Sequence, residues 1–239
     1  SFMATATTVA YNGNIWVVGG QGSYSLIYST DGKNWVGCPG QTTTSGIFNL
    51  NPYSIVWNGT LFVGIQANTT IMYSYDGITW TSTTCPLSYI NTIAWNGTYF
   101  LGVGVVSNAN FIMRSSDGIS WSLIDTTATF PGGGGSIGTV AWNGDYWLVG
   151  GHSFIATLAM SMDIDGSTWT IITTGLSGAS YTSCLEWNKG LWVLGCQKSV
   201  GGLLAYSYDG LGWTVCTNSS TLFVSSYPTS IKWNGAYWV

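Results

Sequence analysis

Few side chains in this 239-residue chain can do acid–base or nucleophilic work: nine Asp and Glu, one His and five Cys, with five Lys and Arg together. Glycoside hydrolysis by paired carboxylates needs two acids at one site. Five of the eight aspartates, however, stand in one recurrent phrase, as Asp31-Gly32, Asp76-Gly77, Asp117-Gly118, Asp165-Gly166 and Asp209-Gly210, each followed by Trp at the fourth residue on. An Asp side chain accepts backbone hydrogen bonds from its own turn, and Gly supplies the awkward dihedral. These five are therefore read as structural turns. Asp125, Asp145, Asp163 and Glu186 remain. Asp145 follows an Asn-Gly turn and Asp163 precedes an Asp-Gly turn, which places both away from Asp125. The lone His152 falls in a variable loop and reads as a solvated residue. Cys38, Cys85, Cys184, Cys196 and Cys216 show neither a CxxC pair nor the spacing of a zinc site. They read as small core or strand residues, with isolated disulfides as the other option. A Ser-His-Asp site is allowed by count, but no Gly-x-Ser-x-Gly elbow precedes a helix. No catalytic residue, metal or cofactor is expected.

The elements that position these residues come from a second phrase. Asn-Gly recurs at Asn12, Asn58, Asn96, Asn143 and Asn234, and Asn188-Lys189-Gly190 replaces it once, so the asparagines are spaced by about 46, 38, 47, 45 and 46 residues. Asn-Gly between alternating apolar runs signals a hairpin whose type I′ turn needs positive φ at both central residues. A two-residue loop then puts Tyr11 across from Asn14 and Val9 across from Trp16, and Lys189 should lengthen the fifth turn. Each unit continues through a variable loop, a third strand and the Asp-Gly turn into a fourth strand carrying the Trp. Four short strands per unit at this period predict an all-β propeller of four-stranded antiparallel blades. One domain, 1–239, is expected, with repeats at about 5–50, 51–89, 90–136, 137–181 and 182–226 and a half repeat at 227–239. Five full repeats plus a half give five or six blades.

Ser29-Thr30-Asp31-Gly32-Lys33-Asn34-Trp35 and its counterparts resemble the Asp-box, or BNR, repeat of sialidase-like propellers. Ser74, Ser115 and Ser207 occupy the place of Ser29, whereas the fourth copy has Asp163 there. With the preceding Trp-Asn-Gly hairpin, the pattern is also similar to repeats of phage and large-virus particle proteins and of bacterial surface proteins. The first resemblance implies a propeller. It does not carry sialidase activity, because that family grips its substrate carboxylate with three arginines and uses a Tyr–Glu nucleophile pair. This chain has one arginine, Arg114, and one glutamate, Glu186, beside the structural Trp187.

Composition narrows the function classes. Charged residues make up 6% of the chain and the formal net charge is -4, against roughly a quarter charged residues in ordinary domains. With no basic run, nucleic-acid binding is excluded. No apolar stretch approaches the ~20 residues of a membrane helix, and no charged-then-apolar leader opens the sequence. Tight turns should share one end of each sheet and variable loops the other, where function usually rides. Gln21, Tyr24, Gln66, Asn68, Asn108, Asn110, His152, Gln197 and Lys198 are the candidate ligand-binding residues there. Asn58, Asn68, Asn96 and Asn218 stand in Asn-x-Ser/Thr sequons, of which Asn58 and Asn96 are already accounted for as turn residues.

The expected function is a non-enzymatic repeat module with a structural, assembly or attachment role on a virus particle or cell surface. A lectin-like carbohydrate-binding propeller is the alternative, with a glycoside hydrolase behind it. The half repeat has three explanations: a longer parent, a five-unit ring with a displaced half-blade, or completion by another chain or a second copy through an open strand edge.

Overall fold

The computed structural model describes residues 2–42, 52–66, 70–107, 109–126, 137–151, 158–173, 175–176 and 178–239. Five four-stranded antiparallel sheets follow one another along the chain, each ordered as its strands occur in sequence. The first holds β1 (Thr5–Tyr11), β2 (Trp16–Gln21), β3 (Leu26–Ser29) and β4 (Val36–Gly37). The second holds β5 (Pro52–Trp57), β6 (Phe62–Gln66), β7 (Thr70–Ser74) and β8 (Thr81–Thr84). The third holds β9 (Tyr89–Trp95), β10 (Phe100–Val106), β11 (Ala109–Ser115) and β12 (Ser122–Ile124). The fourth holds β13 (Ile137–Trp142), β14 (Trp147–Gly151), β15 (Leu158–Ser161) and β16 (Thr170–Ile172). The fifth holds β17 (Ala179–Trp187), β18 (Trp192–Lys198), β19 (Gly202–Ser207) and β20 (Thr214–Val215), after which one helical turn, α1, covers Ser219–Leu222. Serial four-stranded meanders are the blades of a β-propeller.

The Asn-Gly hairpins differ from the sequence expectation by one residue. Tyr11 pairs with Trp16 and Val9 with Val18, and the Asn12 N–H donates to the Ile15 carbonyl at 3.3 Å. The turn is therefore centred on Gly13-Asn14, with only Gly13 at positive φ, 98°. Asn12 acts through its side chain: Oδ1 accepts the N–H groups of Asn14 at 2.9 Å and Ile15 at 2.8 Å. Asn58, Asn96, Asn143 and Asn234 repeat this double acceptance. The fifth turn is not longer. Trp187 pairs with Trp192, and Lys189 takes the glycine's place at φ 67°. A side-chain cap, unlike a type I′ turn, needs only one residue in the left-handed region.

By contact, the chain divides into two compact units, Ser1–Gly102 with Met113–Leu123, and Val103–Ile112 with Ile124–Val239. In the first, Ile15, Val17, Leu26 and Cys38 of the first repeat meet Ile55, Phe62, Met72 and Trp80 of the second in one buried cluster. A bulge near Thr7 in β1 goes with a bond across the same joint, from the Ile55 N–H to Thr8 Oγ1 at 3.0 Å. In the second unit, Leu148 and Leu158 of the fourth sheet meet Leu185, Trp192, Leu194 and Cys196 of the fifth. A buried Trp removes about 150–250 Å² from water, worth about 4–6 kcal/mol before entropy. Trp192 of β18 is such a residue, fully buried in the joint between the fourth and fifth sheets.

Candidate functional site

Each Asp-Gly turn is a small hydrogen-bonded knot. In the third repeat Asp117 Oδ1 accepts the N–H groups of Ile119 at 2.8 Å and Ser120 at 2.7 Å. The Ser115 hydroxyl donates to the same oxygen at 2.9 Å and accepts the Gly118 N–H at 2.8 Å. The Trp121 ring N–H closes the knot on the Gly118 carbonyl at 3.1 Å. Asp31, Asp76 and Asp209 make the same bonds with Ser29, Ser74 and Ser207.

The fourth repeat reaches the same end differently. Asp163, two residues after Ser161, accepts the Thr168 N–H at 2.8 Å, the Ser167 hydroxyl at 3.0 Å and the Thr168 hydroxyl. Asp165 accepts the Ser167 N–H, at 3.1 Å. Ser161, not Asp163, therefore holds the serine place, and the loop is two residues longer, through Ile164 and Asp165. Trp169 still donates to the Gly166 carbonyl, at 2.7 Å.

These bonds set the electrostatics. Backbone N–H donors from Asn34 and Lys33 hold the Asp31 carboxyl well below the usual range, and those of Gly212 and Leu211 do so for Asp209. Burial pushes Asp76 and Asp117 up, but the N–H groups of Thr79 and Ile78, and of Ser120 and Ile119, outweigh it and hold both down. The hydroxyls of Thr168 and Ser167 hold Asp163 down. A carboxylate pinned as an anion by several donors is a poor general acid or base near neutral pH. All five cysteines are free thiols. Burial pushes Cys38 up to about 12 and Cys85, Cys184 and Cys196 up to about 11, away from the thiolate that nucleophilic or metal-binding chemistry needs. Among the described residues, no three His, Cys, Asp or Glu gather around a common point, and no helix is long and apolar enough to cross a membrane.

Gln66 and Asn110 are buried, because β6 and β11 run on to include them. The Asn110 Oδ1 accepts the Ile137 N–H at 3.1 Å, and its carbonyl accepts the Thr126 hydroxyl at 3.0 Å; Asn110 is a latch on the chain leading to the fourth sheet. Tyr24 pairs with Thr42 and its ring lies flat over Gly37, 5.9 Å from the Phe2 ring. Gln21 is exposed at the end of β2, and Gln197 and Lys198 are half-buried at the end of β18. Asn68, Asn108 and His152 lie outside the described residues.

The repeat motifs place a half repeat at 227–239 but do not say where it packs. The half repeat forms a hairpin in which Lys232 and Val239 exchange N–H···O bonds of 2.8 and 2.9 Å and Trp233 pairs with Trp238. Ile231 packs with Cys184 and Val193, with Leu191 and Trp238 against them. Ser183 donates its hydroxyl to the Pro228 carbonyl, and the exposed Lys232 ammonium meets Glu186 at 2.7 Å, a contact worth about 0–1 kcal/mol. Tyr237 and Val239 stand 72% exposed each. The spacing of Ile231 and Trp238, which matches that of Ile55 and Phe62, was the available signal.

A family model described as the DUF6242 beta propeller domain matches residues 3–134. Comparison with curated proteins gave no match. Among solved structures, a GH74 enzyme of Niastella koreensis is 20% identical with a TM-score of 0.59, over 89% of this chain and 31% of its own. The computationally designed Ika8 protein is 14% identical with a TM-score of 0.64, over 98% of this chain and 67% of its own. The Dos1 propeller is 11% identical with a TM-score of 0.64, over 90% and 61%. The chain thus spans about a third of the Niastella enzyme. At these identities the likenesses show the fold.

Proposed function

We propose, for a chain that belongs to the DUF6242 β-propeller domain family, a non-enzymatic role as a scaffold of Asp-box type that joins other protein chains, or copies of itself, on a virus particle or cell surface. The observation that carries this reading is the half-repeat hairpin. It is anchored on the fifth sheet through Ile231 and exposes the Tyr237 ring. An exposed aromatic ring on a well-anchored hairpin is a favourable contact for another chain. A chain in which 6% of residues are charged supports the same reading, since little charge needs desolvating on contact. Carboxylates spent on turns argue against hydrolysis. Light scattering over a concentration series tests it: association that weakens on Tyr237→Lys is expected, and a monomer at every concentration that binds no protein partner overturns it.

Carbohydrate binding is the second reading. It is favoured by Tyr75 and Tyr208, whose rings are 60% and 73% exposed at the tight-turn end, each edge-on to Tyr73 or Tyr206. Saturable glycan binding by the monomer, lost on Tyr75→Ala or Tyr208→Ala, would select it.

A further inference from the structure

The residue between the serine and the aspartate of each Asp-Gly knot, namely Thr30, Tyr75, Ser116, Met162 or Tyr208, is exposed. In the second and fifth repeats it is a tyrosine inside the same phrase, Tyr73-Ser74-Tyr75-Asp76-Gly77 and Tyr206-Ser207-Tyr208-Asp209-Gly210. Each exposed ring stands at a right angle to the half-buried tyrosine two residues before it. The centroids of Tyr73 and Tyr75 are 6.1 Å apart with the planes at 84°, and those of Tyr206 and Tyr208 are 5.9 Å apart at 83°. Three repeats close the knot without the second ring, with Thr30, Ser116 or Met162 in its place. The fold therefore does not require Tyr75 or Tyr208. Gly118 of the third repeat packs on Leu61 and Val63 of the second sheet, so Tyr75 keeps its exposure with the following sheet in place.

Two perpendicular rings at this separation make a corner in which one point lies within about 6 Å of both centroids, the range over which a cation is drawn to ring faces. The next residue, Asp76 or Asp209, is a carboxylate. Asp209 Oδ1 accepts the N–H groups of Leu211 and Gly212 at 2.9 Å each and the Ser207 hydroxyl at 3.0 Å. In the first repeat the Asn34 side chain also donates to the other oxygen, Asp31 Oδ2, at 2.7 Å. Gly212 holds that position in the fifth repeat and has no side chain to offer; a Cβ there would meet only Asp209 Oδ1, at 3.8 Å. That turn keeps an anion and open space together. Other polar groups at the corners are spent: the Ser74 and Ser207 hydroxyls are buried and accept the N–H groups of Gly77 and Gly210 at 2.8 and 2.9 Å. A sugar lying on the rings would have to find partners for its hydroxyls elsewhere, and a primary ammonium brings three donors that need acceptors. A quaternary ammonium has no N–H to satisfy and needs only ring faces and a nearby anion.

We propose that the Tyr73–Tyr75 and Tyr206–Tyr208 corners each bind a quaternary ammonium group of the choline type, with Asp76 and Asp209 as the neighbouring counter-charges. This goes beyond the assembly reading, which rests on the half-repeat hairpin, and it gives the exposed rings of the carbohydrate reading a different ligand. The methyl groups of the cation lie against the exposed ring while the half-buried ring closes the second side. Cation–π contacts at exposed sites are individually small, so each corner is a millimolar site, and the carboxylate makes its affinity fall with added salt.

Choline titrated into the full chain, followed through the backbone amide signals of Gly77 and Gly210 by NMR, tests the corners. Both signals should shift saturably, and the neutral isostere of choline, with carbon in place of the nitrogen, should bind at least ~5-fold more weakly. Tyr208→Leu should abolish the response at Gly210 and spare that at Gly77, Tyr75→Leu should do the reverse, and Tyr208→Phe should keep the ring and most of the binding. No shift at either signal, equal affinity for the isostere, or responses that survive both leucine substitutions overturns the proposal. Shifts with a glucose oligomer and none with choline would also overturn it and leave the carbohydrate reading standing. Choline binding by a chain that never associates would keep the corners and remove self-assembly. Pelleting with phosphatidylcholine but not phosphatidylglycerol vesicles, lost when Tyr75 and Tyr208 are both replaced by Leu, would assign the group to a lipid headgroup. Choline binding without pelleting would assign it to a soluble bearer, and either result upholds the corners.

Discussion

The two turns at the same end of each blade look alike in sequence and live in different surroundings. Gly13, in the Asn-Gly hairpin, has φ 98° and nothing within 4 Å of where a Cβ would be. Gly77, in the Asp-Gly turn, has φ 74° and three side chains of the first joint within 3.3 Å. Both glycines solve a local backbone problem, but only the second also lets two sheets close on each other. The Asn-Gly turn is thus a folding signal that ends at its own hairpin, whereas the Asp-Gly turn is a piece of the joint.

Three experiments would break or sharpen that difference. Gly77→Val should cost about 2–5 kcal/mol, combining left-handed strain with overpacking of the joint. Gly13→Val should cost only the strain, about 1–2 kcal/mol; equal losses in urea unfolding would erase the distinction. Next comes the fourth repeat, where Asp163→Ala should cost about 1–2 kcal/mol for its lost charge-assisted bonds. Asp165→Ala should stay within about 0.5 kcal/mol, and the reverse order would return the turn to Asp165. The smallest effect is in pH. Asp31, Asp76, Asp117, Asp163 and Asp209 are held below the ordinary carboxylate range, so between their folded and unfolded pKa values the unfolded chain binds more protons. Their stabilisation is present above about pH 4 and fades as pH falls below it. Tm measured from pH 7 to 2.5 should be flat and then drop, and Asp117→Asn should soften the drop.

The period of Asn12, Asn58, Asn96, Asn143, Asn188 and Asn234 was enough to read the blade and its four strands, because Gly and a capping side chain punctuate each strand in a way tertiary context does not override. It was not enough to place the turn centre. Asn-Gly is compatible both with two left-handed residues and with one left-handed residue plus a side-chain cap, and Lys189 at φ 67° shows that the cap does the holding. In the fourth repeat Asp163 and Asp165 offered two registers of the same phrase, and the bonds from Ser167 and Thr168 to Asp163 separate them. Gln66 and Asn110 looked like loop residues because variable sequence surrounds them, yet the ladders of β6 and β11 carry both inside. The joints were out of reach of the motifs: alternation says which side of a strand is apolar, not which neighbour will cover it.

The joints in which an Asp-Gly turn packs on the preceding sheet also have a direction. Walls at Ile15 and Val17 precede the turn at Gly77, those at Leu61 and Val63 precede Gly118, and those at Tyr146 and Leu148 precede Gly210. Chains are synthesised from the amino terminus, and their parts can fold as they emerge. In each of these joints the receiving surface leaves the ribosome before the turn that docks on it, so an earlier blade can serve as the mould for the next, and a nascent chain stalled between the two would expose an apolar pair such as Leu61 and Val63 to chaperones.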